Sequence, residues 1–443
     1  MERSAKLARG AFPIGAAATV DELDRDPHPL LARLRASEPV SWLPALDGWL
    51  VTRHDLALAV LRDAATFTVD DPRFSTAQVI GPSMLSLDGA AHARHRDPFA
   101  RAFRPAAVRA NFTEFVAAET DRLVDAMAPR GAAEIRGELA GPLAVAVVAR
   151  TLGLREADPA TIRSWYEAFV AAISDITAGR TDGRDRTDDP MDRTDQPHGA
   201  GAAAHEPAHE RAYARLRASV EAALSSGTVD TAADAPDGVG DAPDTDGVGE
   251  PALLAAAGRE LPLADVVANA AVLMFGGIDT TEGMITNAVL HLLDHPGRLA
   301  LVRAEPALLA NAIEESLRLE PSASVVDRYA TRDIELGGAR IVAGDLVRVS
   351  LAGACRDPAV FPDPDRFDVR RADLGRQLAF ARGPHFCFGA PLARLETHTV
   401  LTALLDRLPE LRLDPARPHA PTGLVFRKPA ALYVRWDLPS TTP

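Results

Sequence analysis

The stretch FARGPHFCFGAPLAR (Phe380–Arg394) decides how this chain is read. It holds Cys387, one of only 2 cysteines, between Phe386 and Phe388, with His385 two residues before it and Gly389 two after. The residues that follow, GAPLARLETHTVLTALLDRL, carry helical spacing, so Cys387 sits about one turn before a helix N-terminus. Free amide donors and the helix dipole at such a place stabilise a thiolate. The competing reading is a small buried core residue, the commonest fate of a free cysteine.

Working outward, the chain of 443 residues exceeds the length prior for one domain and can bury a core around a sizeable ligand. Hydrophobic residues make up 47% and charged residues 25%, the balance of a globular protein. No uninterrupted apolar run approaches the roughly 18–20 residues that span a bilayer. The N-terminus, MERSAKLARGAFPIGAAATV, lacks the sustained apolar core of a signal peptide. The expectation is a cytoplasmic, monomeric protein that does not use a membrane. Cys355 and Cys387 cannot build a disulfide framework, and a net charge of −14 argues against nucleic-acid binding. Of 48 basic residues only Lys6 and Lys428 are lysines.

Helical patterns dominate. VSWLPALDGWLVTR reads as a hairpin turning at Asp47-Gly48. From Arg104 to Leu154 the pattern is helical, with breaks at Gly131 and Gly141-Pro142. Residues 179–206 are nearly free of large apolar groups and read as a mobile polar insertion, either a lid or a tolerated surface loop. Residues 227–250 carry seven acidic residues and no basic one, and read as a mobile acidic loop. Both interrupt one domain rather than link two. From Pro262 to Asp294 runs the longest helix, apolar almost all round and therefore central. GLVFRKPAALYVRW reads as a strand pair.

That central helix contains GGIDTT (Gly276–Thr281). Each of its two glycines costs about 1 kcal/mol relative to alanine, and a buried Asp279 costs more unless paired. Either Gly276 and Gly277 form a notch for a neighbouring helix, or they leave room for a small ligand with Asp279 and Thr280 handling protons beside it. In EESLR, Glu315 and Arg318 lie three apart on one helical face.

Taken together, these motifs resemble the cytochrome P-450 family over roughly residues 24–436, in the family's order. The match runs through Phe380, Gly383, His385, Cys387 and Gly389, then GGIDTT, then Glu315-x-x-Arg318. The resemblance implies a mainly α fold with a minor β region, a single domain over 1–443, and a long central distal helix above haem. It implies haem b (iron protoporphyrin IX), with Cys387 as the iron ligand and Asp279 and Thr280 as the proton-delivering pair. It places cofactor contacts on Gly276, Gly277, Phe380, Gly383 and Gly389. Propionate contacts fall on His92, Arg96, Arg328 and His385, with Pro98 disturbing the His92 helix unless near its start. Arg366 is implied as the third member of a structural clamp with Glu315 and Arg318. Two departures stand out: Ala381 where many members carry glycine, and Cys355 where asparagine is usual, read here as a buried structural thiol.

The implied function is a monooxygenase that activates O2 to hydroxylate or epoxidise a fairly hydrophobic molecule in natural-product biosynthesis. Oxidative coupling, desaturation, peroxide-driven oxidation, and a haem-thiolate sensor without turnover remain the alternatives. The implied substrate pocket draws on Ser75–Leu85, Met274–Thr280, Ser322–Val326 and Thr422–Phe426, with a substrate that is free or tethered to a carrier protein. Electrons would come from a separate ferredoxin and its reductase, docking on Arg94, Arg96, Arg101 and Arg104.

Overall fold

A computed structural model describes residues 12–154, 157–177, 207–227 and 252–438. The insertion expected at 179–206 lies outside these residues, as does all of 227–250 except Gly227, which ends a helix.

The hairpin forms where expected. Val40–Leu43 (β1) pairs antiparallel with Gly48–Val51 (β2), and Asp47 closes the turn at φ 44°. Phe67–Thr68 (β3), Val325–Ala330 (β4) and Leu346–Ser350 (β5) complete a sheet in the order β1-β2-β5-β4-β3. Only the β2–β5 pair is parallel, joining segments far apart in sequence. The C-terminal strands do not pair with each other. Lys428–Pro429 pairs with Pro421–Thr422, and Tyr433–Arg435 lies between Ala132–Glu134 and Arg412–Leu413. Pro429 has no N–H to donate, so its ladder stops there.

Helices carry the rest: Gly89–Ala100 (α1), Pro105–Met127 (α2), Gly141–Leu152 (α3), Pro159–Thr177 (α4), Ala208–Gly227 (α5), Leu263–Asp294 (α6), Leu308–Leu319 (α7) and Ala390–Arg407 (α8). Pro98 does not break α1, which runs two residues past it, so His92 and Arg96 keep one face. Gly141-Pro142 is no break either. A π-helical turn, Arg136–Ala140, runs directly into α3, and Pro142 occupies a first-turn position where its missing N–H is harmless.

The axis of the fold is α6, against which α3, α4, α5, α7 and α8 pack. By length and composition it could cross a bilayer. Asp265, Asn269, Asp279, Thr280 and Glu282 interrupt its apolar sequence, so no uninterrupted run reaches that length. Here it is a core helix, with every residue from Thr281 to Leu293 buried.

Behind α6 the clamp is present but with a different third arginine. Arg318 Nε donates to Glu315 Oε2 at 2.7 Å, both side chains 0% exposed. Arg371, not Arg366, completes it, its Nε 3.1 Å from both Glu315 oxygens. The turn through Asp363 (φ 47°) aims the carbonyls of Pro362, Asp363, Pro364 and Arg366 at the two guanidinium groups. The Arg366 side chain instead pairs with Asp368 at the surface. Arg371→Ala is therefore expected to lower stability by roughly 1–3 kcal/mol in chemical denaturation, with Arg366→Ala within about 0.5 kcal/mol of the parent.

Candidate active site

The Cys387 loop is built by backbone geometry. The Cys387 N–H donates to the Phe380 carbonyl at 3.0 Å, and Gly383–His385 forms a 3-10 turn between them. Gly383 lies at φ 76°, and a Cβ there would stand 2.2 Å from the Leu61 carbonyl oxygen. Only glycine fits. Ala381 adopts φ 57°, a left-handed conformation that costs an L-residue about 1–2 kcal/mol. The turn is thus kept, and alanine strains it. Phe380 lies under the Arg394 guanidinium, 4.6 Å from the ring centre.

Cys387 stands just ahead of α8. Burial pushes its thiol up, opposed by the Gly389 and Ala390 amides and by Arg96 and Arg394. It lies deep among protein atoms and yet its surface is open, so it faces interior space. A Cβ on Gly389 would lie 3.7 Å from the Cys387 Sγ. Cys355, by contrast, is wholly buried and accepts from the Leu378 N–H at 3.2 Å, as a structural thiol should.

A second opening occurs on α6. Gly276 is exposed in the middle of this core helix, and a Cβ there would meet nothing within 4 Å. Gly277 behaves otherwise: its Cβ would lie 2.6 Å from Val148 Cγ2 on α3. Gly277 thus serves as a helix-packing notch and Gly276 as the open wall. Thr280 donates its hydroxyl to the Gly276 carbonyl at 2.5 Å, holding it at that opening. Asp279, next to it, pairs with Lys428.

The four expected propionate contacts converge. The His92 and His385 rings lie 4.3 Å apart. His385 Nε2 is 2.8 Å from Asp88 Oδ1, and Asp88 also accepts from Thr68 Oγ1 and the Val69 N–H. Burial would raise the Asp88 carboxyl, but these donors hold it well below the usual range. Arg328 is buried beside this group, pulled down to about 10 by desolvation, with its nearest acceptor the Asp327 carbonyl. Burial pulls His92 down to about 4, and its Nε2 has no hydrogen-bond partner among the described residues. Arg96 turns inward, donating to the Phe386 carbonyl at 2.5 Å. Neither Arg96 nor Arg328 has a carboxylate partner among the described residues. A buried and a half-buried guanidinium group without carboxylate partners, and an orphaned imidazole nitrogen, are what a pair of propionates requires. Together with an accessible interior cysteine and a glycine opening on α6, these residues fit haem.

Three of the four expected pocket segments meet directly. Ala323 bridges Phe426, and the Phe275 and Phe426 rings are 5.3 Å apart. The fourth is tied to α6 by Met84 N–H donating to Asn269 Oδ1 at 2.9 Å. Of the four arginines expected on the docking surface, Arg96 turns inward, while Arg94, Arg101 and Arg104 are exposed, with Asp265 and Glu260 at 3.7 and 3.9 Å from Arg94 and Arg101. Gly383 packing on Leu61 and Arg62 brings exposed Arg62 beside Arg382 at the Cys387 loop.

A family model described as Cytochrome P450 matches residues 251–429. The chain is 36% identical over 437 residues to Cytochrome P450 monooxygenase PikC of Streptomyces venezuelae, spanning 93% of this chain and 91% of that protein. The solved structure of CalO2 matches with a TM-score of 0.77 at 30% identity, over 94% of this chain and 97% of its own. P450BioI, solved with hexadec-9Z-enoic acid ligated acyl carrier protein, matches with a TM-score of 0.75 at 25% identity, over 94% and 100%.

The loop geometry yields a paired expectation. Ala381→Gly relieves left-handed strain and should keep or raise the melting temperature, by up to about 1 kcal/mol of stability. Gly383→Ala collides with backbone and should lose haem on purification, read from the Soret absorbance per mole of protein.

Proposed function

The chain belongs to the cytochrome P450 family and is a P450 monooxygenase, and on that premise we propose that it hydroxylates or epoxidises a non-ionic, fairly hydrophobic molecule of natural-product type. The observation that carries the reading is the pairing of an accessible interior Cys387 with the Gly276–Thr280 opening of α6. Haem b held by Cys387 supplies O2 activation and oxygen transfer. Arg96, Arg328, His92 and His385 would hold its propionates. Cys387 is kept available as a ligand by the Gly389 and Ala390 amides and the nearby guanidinium groups.

On the distal side, Thr280 holds its hydroxyl at the opening and Asp279 carries protons to it. Phe275, Phe426 and the segments around Met84 and Ala323 wall the substrate space with apolar surface, which selects against charged substrates. Electrons would arrive from a separate ferredoxin at Arg62, Arg104 and Arg382 on the Cys387 side.

A titration of the ferric protein with terpenoids, macrolides, steroids and aromatic acids, each free or tethered to acyl carrier protein, tests the substrate class. A saturable low-to-high-spin change in visible absorbance with a free apolar member is expected. Response to charged members alone would overturn the reading, and response to tethered compounds alone would make the substrate carrier-bound, as the P450BioI complex illustrates for that protein. With the substrate in hand, Thr280→Ala should divert electrons from product to hydrogen peroxide, while Arg62→Glu with Arg382→Glu should slow reduction and flatten its salt dependence.

A further inference from the structure

The segment around Met84 hangs on one buried amide. Asn269, on α6, is 0% exposed. Its Oδ1 accepts the Met84 N–H at 2.9 Å, and its Nδ2 lies 2.8 Å from the Asp265 carbonyl and 3.1 Å from His95 Nδ1 on α1. Among the described residues, the other hydrogen bonds of the Ser83–Ser86 turn run within the turn itself. Gly81, at φ 84°, ends the helix Ser75–Ile80 just before it, with open space where a Cβ would stand.

These partners fix the state of His95. The Met84 N–H can only donate and the Asp265 carbonyl can only accept, so the Asn269 amide has one orientation, with its two Nδ2 hydrogens turned to the two acceptors. His95 Nδ1 must therefore accept, and the neutral ring carries its proton on Nε2. That nitrogen faces Asp265 Oδ2 at 3.4 Å, with Arg94 Nη2 3.3 Å from it and 3.7 Å from the same carboxylate oxygen. A second proton has only Nδ1 to go to. There its N–H would meet the Asn269 Nδ2 hydrogens head on. Turning the amide over would satisfy the imidazolium, but would set NH2 against the Met84 N–H and Oδ1 against the Asp265 carbonyl, two bonds lost for one regained.

The surroundings favour the neutral ring. His95 is 1% exposed. Burial pulls it below its ordinary value, with Asp265 opposing and Arg94 adding to the shift. From α5, Tyr213 also faces Asp265, and burial raises its hydroxyl, so it stays neutral. On the helix Ala252–Glu260, which packs on α1, Glu260 faces Arg101 and Arg259 donates to the Ala255 carbonyl.

We propose that neutral His95 and Asn269 are positioning residues that latch the Met84 segment to α6, and that proton uptake by His95 releases it. The consequence for substrate entry rests on reading Ser75–Leu85 as part of the substrate wall. The closed form needs the neutral imidazole, whereas the open form lets it titrate as in water. The latch is therefore intact above the ordinary imidazole range and weakens as pH falls through it, by up to about tenfold per pH unit.

Hydrogen exchange of the Met84 amide in the haem-loaded protein, corrected for the intrinsic pH dependence of exchange, tests the latch between about pH 5.5 and about pH 8. Protection of Met84 should fall toward acid, while the Ile135 amide, bonded to the Leu432 carbonyl at 2.8 Å in the core, holds. His95→Asn keeps an acceptor on the Nδ1 side and cannot titrate, so its Met84 protection should be flat with pH. Asn269→Ala should lose protection at both ends of the range. Flat protection in the parent overturns the latch, as does an acid loss that His95→Asn retains or that Ile135 shares. Should a variant fail to fold, the comparison of Met84 with Ile135 in the parent decides. The association rate of fluconazole, a triazole uncharged over this range that shifts the Soret band when it reaches the iron, separates the premise. A rate that rises toward acid in the parent and not in His95→Asn makes the latch a gate to the site. A rate without pH dependence while Met84 still opens leaves the latch standing and overturns the substrate-wall reading.

Discussion

Everything in this molecule answers to one constraint: α6 must be buried on all sides and still be open at one turn. Burial makes it the axis on which α3, α4, α5, α7 and α8 pack. The opening at Gly276 makes it the wall of a site. A helix cannot do both with one kind of residue. The glycine pair divides the work, Gly277 closing onto Val148 and Gly276 facing space. From Thr281 the helix returns to full burial, so polar side chains such as Glu282 have only protein groups to satisfy them.

That need explains the charged layers on either side of the axis. Behind α6, Glu315, Arg318 and Arg371 satisfy one another and the carbonyls of a tight turn, which fixes the segment leading to the Cys387 loop. Toward α4 and the C-terminal strand, Glu282 gathers Arg136, Arg163 and Lys428. Around the cysteine the balance is left open on purpose. Buried Arg328 and half-buried Arg96 have no carboxylate partner among the described residues, and one His92 nitrogen has no partner there. In a folded protein such groups are costly unless something anionic completes them.

The chain carried much of this in its own text. Spacing alone placed the Cys387 loop before a helix, the polar break in α6, and the hairpin at Asp47, because each depends on neighbours in sequence. What escaped depends on chain reversals that no local pattern encodes. Arg366 has the expected spacing, but the left-handed turn at Asp363 sends its side chain outward and brings Arg371 in. The C-terminal strands look like a hairpin, yet each finds a partner elsewhere. Asp88, Arg136, Arg163 and Tyr166 carried no motif at all. Their positions follow from packing against α6 or the Cys387 loop.

Lys428 is different, because a signal for it was present. With 48 basic residues and only two lysines, this chain places arginine nearly everywhere a cation is wanted. Compositional drift accounts for the arginines, and so makes the surviving lysine at 428 informative. The two cations differ in the way this position would exploit. A guanidinium offers a rigid planar fork suited to a fixed, bidentate grip, as Arg318 shows on Glu315. An ammonium is a compact charge with donors that rotate, able to face two carboxylates at once. Arginine suits anchors such as Arg136. At the junction of Asp279 and Glu282, where one cation faces two carboxylates from a short strand, the compact ammonium is the one that fits.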